Sequence, residues 1–210
     1  MRDWVAWHEA YDDPSSFLNV RLRHVQKHTS DAISQAPAGP VRLVSLCAGQ
    51  GRDVIGVLPG HPRRDDVHVI LVEADPHNAE AARRAAAQAG LGRVEVREAD
   101  AAVVAGFADA LPADVLLLCG IFGNVSHEDI RFTAEAAAAM CRPGGTVIWT
   151  RHRRAPDLTP QIRAWFAASG FDELAFDVLD TDRLMSVGAN RLRRPGTAGL
   201  PDRPLFTFRQ

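Results

Sequence analysis

The chain has 210 residues, of which 46% are hydrophobic and 24% are charged, and its formal net charge at pH 7 is −2. These proportions are ordinary for a globular protein with one sizeable core. A net charge near zero gives no general attraction to nucleic acid or to a membrane. Since no apolar run approaches the ~18 residues of a membrane span and no signal-peptide core follows Met1, we expect a cytoplasmic protein without membrane contact.

The three cysteines, Cys47, Cys119 and Cys141, each lie in or beside an apolar stretch. An odd number of widely spaced cysteines fits neither a disulfide framework nor a zinc site. We therefore expect reduced, buried thiols. His24 and His28 have the spacing of four residues that occurs in metal sites, but no neighbouring residue in the sequence completes a ligand set, so no metal is predicted.

The first forty residues precede any predicted strand. Trp4, Trp7 and Tyr11 make the opening aromatic-rich, and Asp13 as N-cap with Pro14 in the first turn predicts a helix. We predict an N-terminal helical cap over residues 1–40 and a core over residues 41–210. The aromatic segment is expected to cover the site as a lid; the alternative is that it packs the helix onto the side of the sheet.

The stretch at residues 41–58 organises the rest of the chain. A buried strand over residues 41–46 is followed by a turn of small residues with Gly49 and Gly51, and then by an apolar segment that can open a helix. Strand, glycine turn and helix are typical of the start of a nucleotide-binding unit. Only glycine lets the backbone approach a ligand this closely; a plain tight turn is the alternative.

Further elements alternate along the chain. Strands are predicted at residues 67–73, 93–98, 114–119 and 146–150, helices at 76–89, 126–140 and 159–170, and more strand after residue 171. Central strands that are apolar throughout are typical of a parallel sheet covered on both faces. We therefore predict an α/β fold, Rossmann-like and doubly wound, with a mainly parallel sheet of seven strands.

Ligands of such sheets lie beyond the carboxyl ends of the strands. Glu73 ends the second strand about twenty residues after the glycine turn, where an acid can accept both ribose hydroxyls; a solvated charge is the alternative. Asp100 follows the third strand and could accept from an amine such as that of adenine, or cap a turn. After the fourth strand, Gly120 permits close approach, and Phe122 could pack on a flat ring or in the core.

This ordered set resembles the class I S-adenosylmethionine-dependent methyltransferases. The resemblance spans roughly residues 40–175 and depends on the order and spacing of residues 44–53, 72–76, 98–101 and 142–145. It implies an enzyme with S-adenosyl-L-methionine as cofactor and S-adenosyl-L-homocysteine as product. It also implies a set of cofactor-binding residues: Cys47, Ala48, Gly49, Gly51, Asp53, Glu73, Ala74, Asp100, Ala101, Gly120 and Phe122.

Two positions depart from the family pattern. The family usually has an acid where this chain has Ser45 and a glycine where it has Cys47. The missing acid shifts recognition of the cofactor's ammonium to backbone carbonyls or to another side chain such as Asp53. A nicotinamide dehydrogenase is the nearest rival, but its fingerprint needs a small residue where this chain has Val54.

Methyl transfer from a sulfonium requires the protein mainly to position the acceptor and exclude water. A base is needed only if the acceptor must lose a proton. The candidate catalytic residues are His152, His127 and Tyr11, with His24 and His28 also possible. The predicted acceptor-binding residues are Tyr11, Asn124, Arg151 and His152.

The predicted acceptor is a small molecule methylated on oxygen or nitrogen, and the predicted assembly is a monomer or homodimer. The basic run at residues 151–154 could meet an acidic substrate or be a solvated surface. A nucleic-acid substrate is disfavoured by the net charge and by the lack of an Asn/Asp-Pro-Pro-aromatic run after the fourth strand. The alternatives are an RNA-directed methyltransferase and a cofactor-binding protein without catalysis.

Overall fold

The computed structural model describes residues 11, 13, 16–179, 183–194 and 199–209. Its sheet has seven strands in the order β3-β2-β1-β4-β5-β7-β6. The strands are β1 Val41–Leu46, β2 Val67–Glu73, β3 Val94–Glu98, β4 Ala113–Leu118, β5 Cys141–His152, β6 Phe171–Val178 and β7 Met185–Leu192. The α-helices of the described residues are α1 Phe17–Gln35, α2 Arg52–Ile55, α3 Pro76–Gln88, α4 His127–Met140 and α5 Thr159–Ala168. The predicted fold class is confirmed.

The strands from β1 to β5 pair in parallel, and β7 is antiparallel to both β5 and β6. Strand order reverses between β1 and β4, which is the point where sheets of this kind hold their ligands. The carboxyl ends of β1 to β5 therefore meet at one edge of the sheet. Because β6 runs in the same direction as β5, its own carboxyl end lies at that edge too.

Both faces of the sheet are buried. Val115 and Leu116 are neighbours in β4 and belong to the two different hydrophobic cores, because successive side chains of a strand point to opposite faces. On one face, Val25 and Ile33 of α1 pack in the core with the side chain of Val115. On the other, Phe166 of α5 packs with that of Leu116. This explains why the central strands are apolar at most positions.

Three aromatic rings form the centre of the second core. The Trp149 ring is stacked on Phe166 at a centroid distance of 5.9 Å and tilted against Phe122 at 6.1 Å. Gly188 lies opposite Trp149 across the β5–β7 pair, where a Cβ would overlap the indole ring. Phe122 is fully buried, so the prediction that its ring meets the cofactor is corrected: the ring packs in the core.

Helix α1 begins later than predicted. Ser16 is its N-cap, and the Ser16 hydroxyl accepts the Asn19 backbone N–H at 3.2 Å. The prediction of Asp13 as the cap is wrong, because the Ser16 side chain satisfies the free amide of the first turn. Trp4 and Trp7, on which the lid prediction depends, lie outside the described residues.

Helix α1 lies along the sheet, against β4, β5, β7 and α2. Leu18, Val25 and Ile33 are fully buried there. This part of the predicted cap is therefore packed on a face of the core. Among the described residues, no helix has the length and apolar character that crossing a membrane requires.

Two other boundaries differ from the predictions. The helix after the glycine turn comprises only Arg52–Ile55, and a 3₁₀ turn at Leu58–Gly60 follows it. Strand β5 begins at Cys141 and includes the glycine turn predicted to precede it. Its pairing with β4 shifts register between Ala113 and Val115, because the turn residues form a bulge beside β4.

The C-terminal segment 199–209 ties three elements together. The Leu205 N–H donates to the Ala102 carbonyl at 2.8 Å, and the Thr133 hydroxyl of α4 donates to the Leu205 carbonyl at 2.9 Å. The Arg209 N–H donates to the Asn124 carbonyl at 2.8 Å. The segment thereby fixes the turn after β3 and the loop after β4 to each other.

Candidate functional site

Glu73 joins the carboxyl ends of β1 and β2. Its Oε2 accepts the Gly49 backbone N–H at 2.7 Å, and its Oε1 accepts the Asp75 backbone N–H at 2.9 Å. Each carboxylate oxygen has two lone pairs, so each retains the capacity to accept one further hydrogen bond. The side chain is half-buried. It can therefore accept ribose hydroxyls without releasing the glycine turn.

The glycine turn has three left-handed residues, with φ of 53° at Cys47, 55° at Gly49 and 71° at Gly51. Cys47 stands where the family has glycine, and holding a residue with a Cβ in this conformation costs of order 1–2 kcal/mol. A Cβ at Gly51 would lie 2.7 Å from Leu71 Cδ1 and 2.8 Å from Ile55 Cδ1. Gly51 is thus required by packing against β2, and Ala48 and Gly49 remain partly accessible.

The turn after β3 lies beside this acid. The Ala99 N–H donates to the Glu73 carbonyl at 3.1 Å, and Asp100 Oδ1 accepts the Ala102 N–H at 2.9 Å. Asp100 is exposed, as is Ala74. The Ala101 side chain is buried in the core, so this residue can meet a ligand only through its backbone.

The loop after β4 is held by polar contacts from its own residues and from β5. The Gly120 N–H donates to Thr150 Oγ1 at 2.9 Å, and Asn124 Nδ2 donates to the Gly120 carbonyl at 2.8 Å. Arg151 Nη1 donates to the Phe122 carbonyl. A Cβ at Gly120 would have no atom within 4 Å. The structure therefore leaves open space at Gly120 and uses Asn124 and Arg151 to shape the loop.

His152 ends β5 next to this loop. Burial lowers the pKa of its imidazole, and the positive charges of Arg151 and Arg154 lower it further. A Cβ at Gly123 would lie 3.9 Å from the His152 ring. Among the described residues, no hydrogen-bond partner reaches the buried His152 Nδ1 or the buried Arg151 Nε. Unsatisfied buried polar atoms are rare in proteins and often mark functional sites.

The other predicted base on this side of the sheet has different surroundings. His127 is the first residue of α4, after the N-cap Ser126, and it is exposed. Of the two histidines, only His152 lies in a partly desolvated position.

Tyr11 lies against α1. Its hydroxyl accepts a hydrogen bond from Arg21 Nη2 at 2.7 Å, and the Arg52 guanidinium lies 5.0 Å from the centre of its ring. Burial raises the pKa of the Tyr11 hydroxyl. A phenol with a raised pKa stays protonated at neutral pH, which is unfavourable for the catalytic base predicted from the sequence.

Arg21 and Cys119 lie at the site but were not predicted from the sequence as site residues. Arg21 is buried, and its charge interacts with the carboxylate of Asp53. Burial raises the pKa of Asp53, against the lowering effects of Arg21 and of a hydrogen bond with the Cys119 thiol. The available signal was the position of Arg21 on the apolar face of α1, between Leu18 and Val25, where a charge needs a partner.

All three cysteines are free thiols. Burial raises the pKa of Cys47, Cys119 and Cys141, so each thiol stays protonated.

His24 Nδ1 and His28 Nε2 both contact Asp177 Oδ2, at 2.7 and 2.8 Å. The fold thus brings the carboxylate of Asp177 to His24 and His28, from which it is distant in the sequence. In the part of the chain that the structure describes, no group of three His, Cys, Asp or Glu side chains could hold a metal ion.

Residues 44–145 match the model of a family described as a methyltransferase domain. No curated protein matches the chain. An O-methyltransferase family protein from Burkholderia thailandensis has a similar structure, with a TM-score of 0.64 and 20% identity over 83% of this chain. The match covers 57% of the Burkholderia protein, so this chain spans little more than half of its length.

Two further solved structures illustrate the range of neighbours. Magnesium protoporphyrin IX methyltransferase from Synechocystis PCC 6803, with bound S-adenosylmethionine, has a TM-score of 0.69 and 12% identity, and the match covers 90% of each chain. An RNA methyltransferase from Salinibacter ruber, in complex with S-adenosyl-L-homocysteine, has a TM-score of 0.57 and 19% identity over 85% of this chain and 96% of its own. At these identities the likeness concerns the fold.

The matched domain contains the glycine turn, Glu73 and Asp100. The fold places these residues at the carboxyl ends of the neighbouring strands β1, β2 and β3, beside the strand-order reversal. They fit a nucleoside cofactor with a ribose and an amino-purine. Residues 44–145 therefore match a methyltransferase domain, and the chain shares its fold with solved S-adenosylmethionine-dependent methyltransferases.

Proposed function

We propose that this chain transfers a methyl group from S-adenosylmethionine to a hydroxyl or amine of a small molecule, above the carboxyl ends of β4 and β5. The observation that carries the proposal is His152: a half-buried imidazole with a lowered pKa, a buried Nδ1 without a partner among the described residues, and a glycine loop beside it. A neutral imidazole at a strand end is suited to accept a proton.

The cofactor-binding residues of the proposal lie at the ends of β1, β2 and β3. Glu73 accepts the ribose hydroxyls with the lone pairs that Gly49 and Asp75 leave open. Asp100, exposed at the end of β3, accepts from the adenine amine, and the exposed Val103 offers an apolar contact beside it. When bound, the cofactor supplies an electrophilic methyl group on a sulfonium.

The acceptor-binding residues lie on the other side of the β1–β4 boundary. Arg151 holds the loop after β4 through the Phe122 carbonyl, and Asn124 closes the same loop. This loop and His152 orient the acceptor, and His152 receives its proton during transfer. The proposal keeps residues 1–40 as a cap, of which the described helix α1 packs against β4, β5 and β7.

The test is an assay of methyl transfer with radiolabelled S-adenosylmethionine. Small phenols, other hydroxyl compounds, amines and carboxylates are compared with bulk RNA as acceptors. We expect label in a small hydroxyl or amine compound. Removing a general base costs about 10²–10⁴-fold in rate, so we expect a loss of that size for His152→Gln.

The matched control is His127→Gln, a substitution of an exposed histidine on α4. It should leave the rate unchanged. Label in RNA alone would replace the proposed acceptor class by nucleic acid. Equal rates for His152→Gln and the wild type would remove His152 as the base. Binding of S-adenosyl-L-homocysteine without transfer to any acceptor would favour a cofactor-binding protein without catalysis.

A further inference from the structure

Ser45 occupies the position in β1 where an acid is expected, and it is buried with 2% exposure. It carries no charge that could hold the ammonium of the cofactor. We infer that Arg21 and Asp53 form an amino-acid clamp, in which the Arg21 guanidinium binds the carboxylate of the cofactor's methionine end and the Asp53 carboxylate binds its ammonium. The inference rests on the proposed function and concerns the same site.

The first argument is position. Asp53 is the second residue of α2, directly after the glycine turn of β1. Cys119 follows β4, and its charge interaction with Asp53 places the two residues between β1 and β4, where the strand order reverses. Helix α1, which carries Arg21, contacts both α2 and β4. Arg21 Nη2 donates to the Tyr11 hydroxyl, and the Tyr11 ring lies 5.0 Å from the guanidinium of Arg52, the residue before Asp53.

The second argument is the cost of burial. Arg21 is 5% exposed, and Asp53 is half-buried. Removing two opposite charges from water is expensive, and apolar residues often stabilise such a position equally well. A binding role gives a reason for placing both charges at the ligand edge of the sheet.

The third argument is chemical complementarity. A guanidinium has five N–H donors in a planar fork that matches a carboxylate, and a carboxylate accepts the N–H groups of an ammonium. The methionine end of the cofactor carries one of each charge. Its binding therefore adds no net charge to the buried pair, and each group meets an opposite one.

Tyr11 acts in this arrangement as a positioning residue. Its hydroxyl accepts from Arg21 Nη2, and its ring lies against the guanidinium of Arg52. Arg52 is itself held by Gln50, whose Oε1 accepts from Nε at 3.1 Å and from Nη2 at 3.0 Å. Tyr11 thus connects the N-terminal segment to the glycine turn through two arginines. It orients Arg21 and takes no part in proton transfer.

Calorimetry with two ligands tests the clamp. S-adenosyl-L-homocysteine has the amino-acid end, whereas 5′-methylthioadenosine has the same nucleoside and sulfur without it. For Arg21→Met we expect affinity for S-adenosyl-L-homocysteine to fall about 30- to 100-fold, the loss of one charge-assisted carboxylate contact. Affinity for 5′-methylthioadenosine should change less than about threefold.

Three further variants refine the result. Arg23→Met, an exposed arginine on the same helix, is the matched control and should bind both ligands like the wild type. If Arg21→Met does not fold, Arg21→Lys keeps the charge without the fork, and it should give a smaller loss confined to S-adenosyl-L-homocysteine. Asp53→Asn should weaken S-adenosyl-L-homocysteine but not its analogue that lacks the amine.

The outcomes separate the clamp from the proposed function. Equal losses for both ligands in a folded Arg21 variant would show that Arg21 only packs the fold, and would overturn the clamp. An unchanged affinity for S-adenosyl-L-homocysteine would overturn it as well. If the wild-type protein binds neither ligand, the proposed function is refuted, and the clamp is refuted with it.

Discussion

Glu73 at the end of β2 accepts the backbone N–H of Gly49 at 2.7 Å, so one side chain fixes the glycine turn to the neighbouring strand. Its other oxygen accepts the Asp75 N–H, which also places the start of α3. The acid predicted for ribose binding is therefore part of the framework of the site. Any substitution of Glu73 acts on both roles.

We expect Glu73→Ala to weaken S-adenosyl-L-homocysteine binding by about ten- to a hundredfold. The substitution leaves the two ribose hydroxyls poorly paired in a half-buried site, which should cost about 1.5–3 kcal/mol of binding free energy in total. Calorimetry measures the affinity. The control is Glu80→Ala, an exposed acid on α3; an affinity of Glu73→Ala equal to that of this control would refute ribose binding by Glu73.

The lowered pKa of His152 predicts a particular pH profile for methyl transfer. A base must be neutral, so the rate should fall as acidification protonates the imidazole. Burial and the charges of Arg151 and Arg154 place that midpoint below the ordinary histidine value of about 6.5. The kcat/KM profile of the wild type, which reports the free enzyme, measures it. In His152→Gln the acidic limb should disappear; persistence of the same limb would assign it to another group.

Gly188→Ala should destabilise the fold by about 2–3 kcal/mol, because the new methyl group would overlap the fully buried Trp149 ring. The ring has little freedom to move, since it stacks on Phe166 and its Nε1 donates to Asn190 at 2.8 Å. Urea unfolding measures the change. Gly92→Ala, with no atom within 4 Å of the new methyl group, is the control and should shift stability by less than about 0.5 kcal/mol.

Asp177→Asn should lower the free energy of unfolding by about 1–2 kcal/mol, because Asp177 joins α1 to β6 through His24 and His28. Asp172→Asn, an exposed acid on the same strand, is the control. Equal stability of the two variants in urea unfolding would mean that the α1–β6 contact contributes nothing.

The same acid predicts a dependence of stability on pH. Burial acts to raise the pKa of Asp177, but the hydrogen bonds from the two histidines outweigh it and the net shift is downward. The stabilisation is therefore present above the unfolded value of about 3.9 and is lost as the pH falls through the lowered folded value. Acid unfolding of Asp177→Asn should lack this component. Identical acid profiles for variant and wild type would contradict it.

The sequence by itself determined the order of the elements and the ligand edge. Continuous apolar strands can be satisfied only by a sheet buried on both faces, and the glycine turn and Glu73 could be located because they follow strands directly. Each of these signals can be read from a short stretch of sequence. A parallel sheet then brings the strand ends to one edge, whatever their separation in sequence. Predicted helix boundaries were wrong where another local contact determined the helix start. At α1, the hydroxyl of Ser16 caps the helix.

Only the tertiary structure decided which side chains meet across the site. Phe122 follows a strand like the predicted ligand residues, but its ring is buried with Trp149, and nothing in its sequence neighbours fixes that choice. Arg21 and Asp53 are distant in sequence and interact because α1 packs against α2 and β4. Contacts of this kind depend on how helices dock on the sheet, and that docking is fixed by the summed packing of the whole core.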